Sequence, residues 1–295
     1  MAALADDWIT MGNHREAQVC IDVLCAYIRT PRHTSTSEDA VADTRVRETI
    51  TRVITQHLQA DAATSWSDKV FDFTEADFTG SHSFDSAEFN EGCLVDFSGA
   101  EFNEGCWVNF FDAKFNEGCQ VNFFGAEFKK GCQVGFLGAE FNEGCRVNFF
   151  DAKFNEGCQV NFPIAEFNKG CQVGFFDAKF NKDCRVNFFD AKFNKDCQVS
   201  FPRAKFNEGC RVSFPDAEFN EGCRVDFFDA EFNEGCWVDF FDAEFNKGWP
   251  TGPWGDRVTS AKRLASLLGL ARMGYTYLHS AVDGFSRLSY TEGPR

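Results

Sequence analysis

Cysteine returns at every thirteenth residue from Cys93 to Cys236, twelve times without a slip: Cys93, Cys106, Cys119, Cys132, Cys145, Cys158, Cys171, Cys184, Cys197, Cys210, Cys223 and Cys236. Around it runs a unit of the form A-[EK]-F-[NK]-[EK]-[GD]-C-x-V-[DNGS]-F-x-x. One copy, FDAKFNEGCQVNF, occupies 111–123 and recurs letter for letter at 150–162. A fixed period of this kind marks a stack of small units, none of which can bury its apolar face alone.

Within the unit Cys119, Val121 and Phe123 alternate with Gln120 and Asn122, and Ala113 and Phe115 alternate with Asp112 and Lys114. Period-two alternation is the pattern of a half-buried strand. Each unit therefore reads as two short strands with a corner between them at Asn116 to Gly118. Gly118 suits the positive φ such a corner needs; Asp183 and Asp196, which stand at that place in two copies, tolerate it better than most residues. Stacking the copies in parallel puts Phe on Phe, Val on Val and Cys on Cys. Phe supplies 37 residues against 4 Tyr and 6 Trp, enough to fill the interior of an all-β solenoid, since each ring buries about 150–250 Å². The coil length stays open at this point. Thirteen-residue coils would build a rod of roughly 60 Å at about 4.8 Å per coil, and twenty-six-residue coils one about half as long.

Upstream the rhythm differs. Phe73 and Phe78 are five residues apart in FDFTEADFTG, and Phe110 to Phe115 is again five, with Val108 and Ala113 two before each Phe. On these residues the segment 71–248 resembles the bacterial pentapeptide-repeat proteins, with a variant thirteen-residue unit. The eight residues from Phe115 to Phe123 exceed the family spacing by three. The resemblance implies a four-sided parallel β-helix. Some members of that family imitate duplex DNA and occupy the DNA-binding saddle of gyrase, a type II topoisomerase. VLCAY followed by Arg and Pro near residue 30 is similar to a flank that precedes the array in a subset of the family, some of them carrying membrane helices, which suggests a cytoplasmic regulatory partner of a membrane system.

Outside the array the pattern turns helical. Val19, Ile21, Leu24, Cys25 and Ile28 precede Pro31 with helical spacing, and Val46, Ile50, Val53, Ile54 and Leu58 do the same over 44–58. The expected organisation is a helical segment at 1–62 with a Ser/Thr-rich linker at 33–43, the solenoid at 71–248, and a C-terminal part at 249–295 containing an amphipathic basic helix at 257–273.

The functional candidates follow from what the repeat leaves outward. Formal charge is -16, which repels nucleic acid and anionic lipid and suits a basic protein partner. No apolar run is long enough to span a membrane, and the first residues lack a secretion signal, so a cytoplasmic location is expected. The acids concentrate at one end: 216–244 carries Asp216, Glu218, Glu221, Asp226, Asp229, Glu231, Glu234, Asp239, Asp242 and Glu244 against Arg224 alone, whereas 166–206 holds eight Lys or Arg against five acids. The acidic stretch is the candidate surface for a partner, or for gyrase in the DNA-mimic reading.

A second candidate is the position after the last Phe of each unit, occupied by Phe111, Phe124, Phe150, Phe176, Phe189, Phe228 and Phe241, and by Leu or Pro in the other copies. Strict alternation turns these rings outward into one stripe. Pro in three copies instead favours a corner, because a mid-strand Pro would lose a ladder hydrogen bond.

Catalytic chemistry is not expected: the five His lie outside the regular copies, and the carboxylates recur at repeat positions instead of forming one singular pair. One thiol per unit does not make a four-ligand zinc set, so the Cys read as core filler, with no metal and no cofactor. Exposed strand edges at the rod ends call for caps or an end-to-end homodimer.

Overall fold

The computed structural model describes residues 1–32 and 36–246 of the chain. From Phe71 onward it is a parallel β-solenoid of seven coils, each built from four short strands, so that four seven-stranded parallel sheets form four walls. Wall one runs from Phe71–Asp72 to Arg224–Asp226, wall two from Asp77–Phe78 to Glu231–Phe232, wall three from Ser81–Ser83 to Trp237–Asp239, and wall four from Glu88–Phe89 to Glu244–Phe245.

The coil is twenty-six residues long, two sequence units per turn. Val121 pairs with Val147 and Phe128 with Phe154, each skipping one copy. At about 4.8 Å per coil the rod is roughly 30 Å long, the shorter of the two expected lengths.

Each unit contributes a three-residue strand such as Gln120–Asn122 and a two-residue strand such as Glu127–Phe128. Between them the chain turns at Phe124-Gly125 or at Glu117-Gly118. Gly118 takes φ +70, and Asp183 and Asp196 take φ +59 and +61 at the equivalent place, as the corner requires. The other corner also needs positive φ: Asp112, Asp151, Asp177, Asp190, Asp216, Asp229 and Asp242 all adopt it. Sequence reading placed a corner there from the Pro copies without assigning that conformation.

The inward letters are those the alternation assigns. Ala113, Phe115, Cys119, Val121 and Phe123 are all buried. Phe rings form four continuous columns; along one, Phe128, Phe154 and Phe180 stand 4.7 Å apart, parallel to within 2–4°. The strand spacing sets that separation, which falls in the range of an offset stack. Across the interior the columns meet at a tilt, as between Phe149 and Phe154 (5.8 Å, 52°). From Cys119 to Cys236 each array thiol lies under the wall and donates to a carbonyl of the preceding coil, Cys145 Sγ to Asn116 O at 3.0 Å and Cys171 Sγ to Asn142 O at 2.9 Å. All fourteen cysteines are free and buried.

Three helices close the N-terminal end: α1 (Ala2–Thr10), α2 (His14–Arg29) and α3 (Ser37–His57). The apolar spacing at 19–28 and 44–58 locates α2 and α3, but both extend further toward their N-termini than that spacing implies. For α3 the reason is a Thr36 cap whose hydroxyl accepts from Asp39 N at 3.1 Å, so most of the expected linker at 33–43 is helix. Helix α1 has no counterpart in the sequence reading. It is anchored through Asp6, which accepts from Trp66 Nε1 at 3.0 Å and lies 3.1 Å from His57 Nε2, while His57 and Trp66 stack at 3.9 Å.

The caps substitute for a coil: Leu58 O and Ser67 O accept from Glu88 N and Asn90 N, 2.7 and 2.8 Å, in place of a preceding strand. Buried Arg47 ties α3 to α2, bonding Asp43 at 2.7 Å and the carbonyls of Ile28 and Thr30. Against wall one, Arg29 reaches Asp72 at 2.7 Å. The first coil turns from wall two to wall three through Thr79-Gly80, two residues shorter than the equivalent corner of later coils, and Glu48 of α3 bonds Ser81 N there at 3.3 Å. The basic segment 257–273 lies outside the described residues.

Candidate interaction surface

The twenty-six-residue coil sorts the outward letters into columns. Positions one coil apart stack directly, and positions thirteen apart fall on opposite sides. This divides the expected single stripe of aromatics in two. Phe124, Phe150, Phe176 and Phe228 stand on the corner between walls one and two; Phe111, Phe189 and Phe241 stand on the diagonally opposite corner between walls three and four. Both expectations for this position hold in part. It is a turn, which is why Pro is accepted there, and the side chains project outward: Phe124 is 49 % exposed, and Phe228 and Phe241 are each 59 % exposed. Phe176 is more covered, because the Arg203 guanidinium lies 4.4 Å over its ring while bonding Asp177. Phe150 packs toward Phe176 at 5.7 Å and over the bare backbone of Gly174.

The acidic candidates are redistributed in the same way. The segment 216–244 spans little more than one coil, so its acids encircle the rod as a belt roughly 5 Å tall instead of lining one face. Glu218 and Glu244 stack in register on wall four, and Glu231 lies on wall two, Asp226 on wall one and Asp239 on wall three. Asp216 and Asp242 occupy the aromatic corner beside wall four, Asp229 the opposite one, and Glu221 and Glu234 the two remaining corners. Glu231 is paired with Lys205 at 3.1 Å. Burial raises Asp239 above the usual carboxylate range, although its carboxylate accepts Phe241 N at 3.0 Å.

Outward features that sequence reading passed over are the Asn ladders. On the corner between walls four and one, Asn90, Asn116, Asn142, Asn168, Asn194, Asn220 and Asn246 stack, each amide donating to the side-chain oxygen of the one before, as in Asn168 to Asn142 at 3.0 Å and Asn194 to Asn168 at 2.9 Å. The Asn of F-N-E-G-C, replaced in the array only by Lys129, was the available signal. A shallow groove follows this ladder, bordered by Glu143 and Lys169, which pair at 2.6 Å. Trp107, outward on wall three and 47 % exposed, was likewise not singled out.

The thiol columns offer no exposed sulfur. Burial raises Cys93 and Cys106 to about 12, so they stay protonated near neutral pH. Among the described residues no group of three or more His, Cys, Asp or Glu converges as a metal site would, and no helix is long and apolar enough to cross a membrane. No family model, curated protein or solved structure matches the chain.

Proposed function

We propose that the protein is a non-enzymatic, cytoplasmic scaffold of pentapeptide-repeat type, which binds a basic protein partner through the acidic belt at its C-terminal coil. The observation that carries this reading is the coincidence, within little more than one coil, of ten carboxylates with the two most exposed rings of the array, Phe228 and Phe241. Exposed aromatics next to clustered like charge supply both the apolar anchor and the long-range attraction that interfaces use. A rigid stack of near-identical coils supports the scaffold role in a further way: recognition is confined to side chains on fixed columns, with little rearrangement on binding. A reducing compartment suits fourteen free thiols.

The DNA-mimic reading asks for carboxylates spread along the rod like phosphates along a duplex. A belt one coil tall supplies them around the circumference instead, and the scaffold reading fits it better.

The test is a pull-down with the intact chain beside a Phe228→Ser/Phe241→Ser variant and an Asp229→Asn/Glu234→Gln/Asp242→Asn variant. A partner lost with both variants, and lost at high salt for the parent, supports the reading. A partner retained by both variants would sink it. Inhibition of gyrase supercoiling by the parent protein, relieved in the acidic variant, would favour the mimic instead.

A further inference from the structure

We infer that the protein forms an antiparallel dimer in which wall two of one rod packs against wall two of a second copy. This goes beyond the scaffold reading and does not rest on it, since the acidic belt of the last coil lies outside the proposed contact.

The outward column of wall two reads, coil by coil, Asp77, Glu101, Glu127, Lys153, Lys179, Lys205 and Glu231, each in register with the next. Three acids are followed by three lysines. Stacking like charges about 4.8 Å apart is unfavourable. In the acidic half it is offset inside the protomer, Lys129 pairing with Glu127 at 2.6 Å and Glu101 at 3.9 Å and Arg32 lying 3.6 Å from Asp77, and Lys205 pairs with Glu231 at 3.1 Å; the uncompensated stretch is Lys153 and Lys179. Lys153 and Lys179 are exposed and have no ion pair among the described residues, although each stacks on another lysine. Such a column asks for an anionic surface with the same spacing.

The same column on a second copy is that surface. A two-fold axis lying in the contact plane, perpendicular to the rods and level with the gap between Glu127 and Lys153, sets each column against its own reverse. Glu127 then faces the second copy's Lys153, Glu101 faces Lys179, and Asp77 faces Lys205, each contact occurring twice. The neighbouring corner, between walls two and three, obeys the same axis. Its column runs Glu104, Lys130, Glu156, Lys182, so the second copy's Glu156 comes to Lys130 and its Lys182 to Glu104, alongside the pairs Lys130–Glu156 at 3.3 Å and Lys182–Glu208 at 3.1 Å already made within each rod. On the corner between walls one and two the axis falls between Phe124 and Phe150, bringing these rings to the edge of the contact about the centre of symmetry.

The opposite wall does not pass this test. Wall four carries Lys114, Glu140, Glu166 and Lys192 at the corresponding coils, and the equivalent axis would set Glu140 against Glu166 and Lys114 against Lys192. Charge complementarity therefore favours wall two over wall four.

The contact is small. Six coils by a side of about five residues is roughly 30 by 15 Å, so it buries about 900 Å² in total, below the usual 1,200–2,000 Å² of stable complexes. The dimer is accordingly weak and, because it is held by exposed charges, dissolved by salt.

Sedimentation equilibrium of the full chain tests this. At low salt, and at concentrations on the order of 100 µM, the parent should move toward twice its 33.2 kDa mass and return to monomer at high salt. Lys153→Glu/Lys179→Glu should be monomeric at low salt, and so should Glu101→Lys/Glu127→Lys. Mixing the two variants, one with an acidic column and one with a basic column, should restore a heterodimer at least as tight as the parent. A parent that stays monomeric at low salt overturns the proposal. So does a dimer that survives both charge reversals, or a mixture of the two variants that fails to associate.

Discussion

Thr51 Oγ1 on helix α3 lies 3.0 Å from Nδ1 of His82 in the first coil. His82 stands in register with Val108 of the next coil, so it fills a position that the regular copies give to Val. Its Nε2 lies 3.1 Å from Thr79 O, and its ring meets Phe78 edge-on at 4.8 Å. With Nε2 donating to that carbonyl, Nδ1 accepts from Thr51. The first coil thus exchanges an apolar contact for a bond to its helical cap.

This arrangement makes the cap sensitive to acid. Burial is the main cause that lowers His82 to about 4, while in the unfolded chain it titrates near its ordinary 6.5. Above pH 6.5 the ring is neutral in both states and its contribution is complete. As pH falls from 6.5 toward 4 only the unfolded chain takes up the proton, and stability declines by about 3 kcal/mol over that window. Urea midpoints measured against pH should show this decline, and His82→Val should flatten it. An unchanged slope in the variant would remove His82 as the cause.

Ile164 sits at the corner position where most other copies have Asp or Gly, and it holds φ +49. A β-branched residue is poorly suited to that region, at a cost of about 1–2 kcal/mol. Ile164→Gly, or Ile164→Asp as at Asp190 and Asp216, is expected to raise the urea midpoint by about 1 kcal/mol equivalent. Its side chain is 50 % exposed, so little packing is lost in exchange.

Phe154 is the middle ring of its column, 4.7 Å from Phe128 and from Phe180. Phe154→Ala should cost about 3–5 kcal/mol. Because coils touch only their neighbours, the loss falls between two halves of the array. Thermal unfolding is expected to split into two transitions, where the parent shows one.

Asn168 donates to Asn142 and accepts from Asn194, so Asn168→Ala breaks two bonds of the ladder and leaves the partners to water. About 1–2 kcal/mol should be lost. Asn181→Ala on the opposite corner, where Asn181 bonds Asn155 and Asn207, should match it. A loss at only one corner would show that the two ladders are not equivalent.

The buried thiols should be inert in the native state. All twelve array thiols are buried in the wall, so an aromatic disulfide reagent at neutral pH is expected to titrate none of them until denaturant is added, and then all of them. Rapid labelling of the folded protein would contradict their placement.

Much of this architecture could be read from the letters. Period-two alternation identified Phe115, Cys119 and Val121 as inward and Lys114 and Gln120 as outward, because a strand can bury only one face. The NEG corner was legible from Gly118 and its Asp substitutes, since few residues accept that conformation. Helix α1 was not, because its nine residues are held by Asp6, Trp66 and His57, which are distant in sequence. For the aromatic position the letters left two readings, a single outward stripe or a corner favoured by its Pro copies; it is a turn, and its rings divide between two opposite corners.

The reason lies in a degeneracy of the repeat. A coil of thirteen residues and a coil of twenty-six give the same sequence period, so identical letters recur whether neighbours in the stack are adjacent copies or alternate ones. By itself the sequence determined which side of the wall each residue occupies, a local property of strand geometry. Only the tertiary structure decided which copies touch, because enclosing the Phe columns takes four walls and therefore two units per turn. That choice turned the acidic segment into a belt, divided the aromatics between opposite corners, and gathered Asp77, Glu101, Glu127, Lys153, Lys179 and Lys205 into one ordered column.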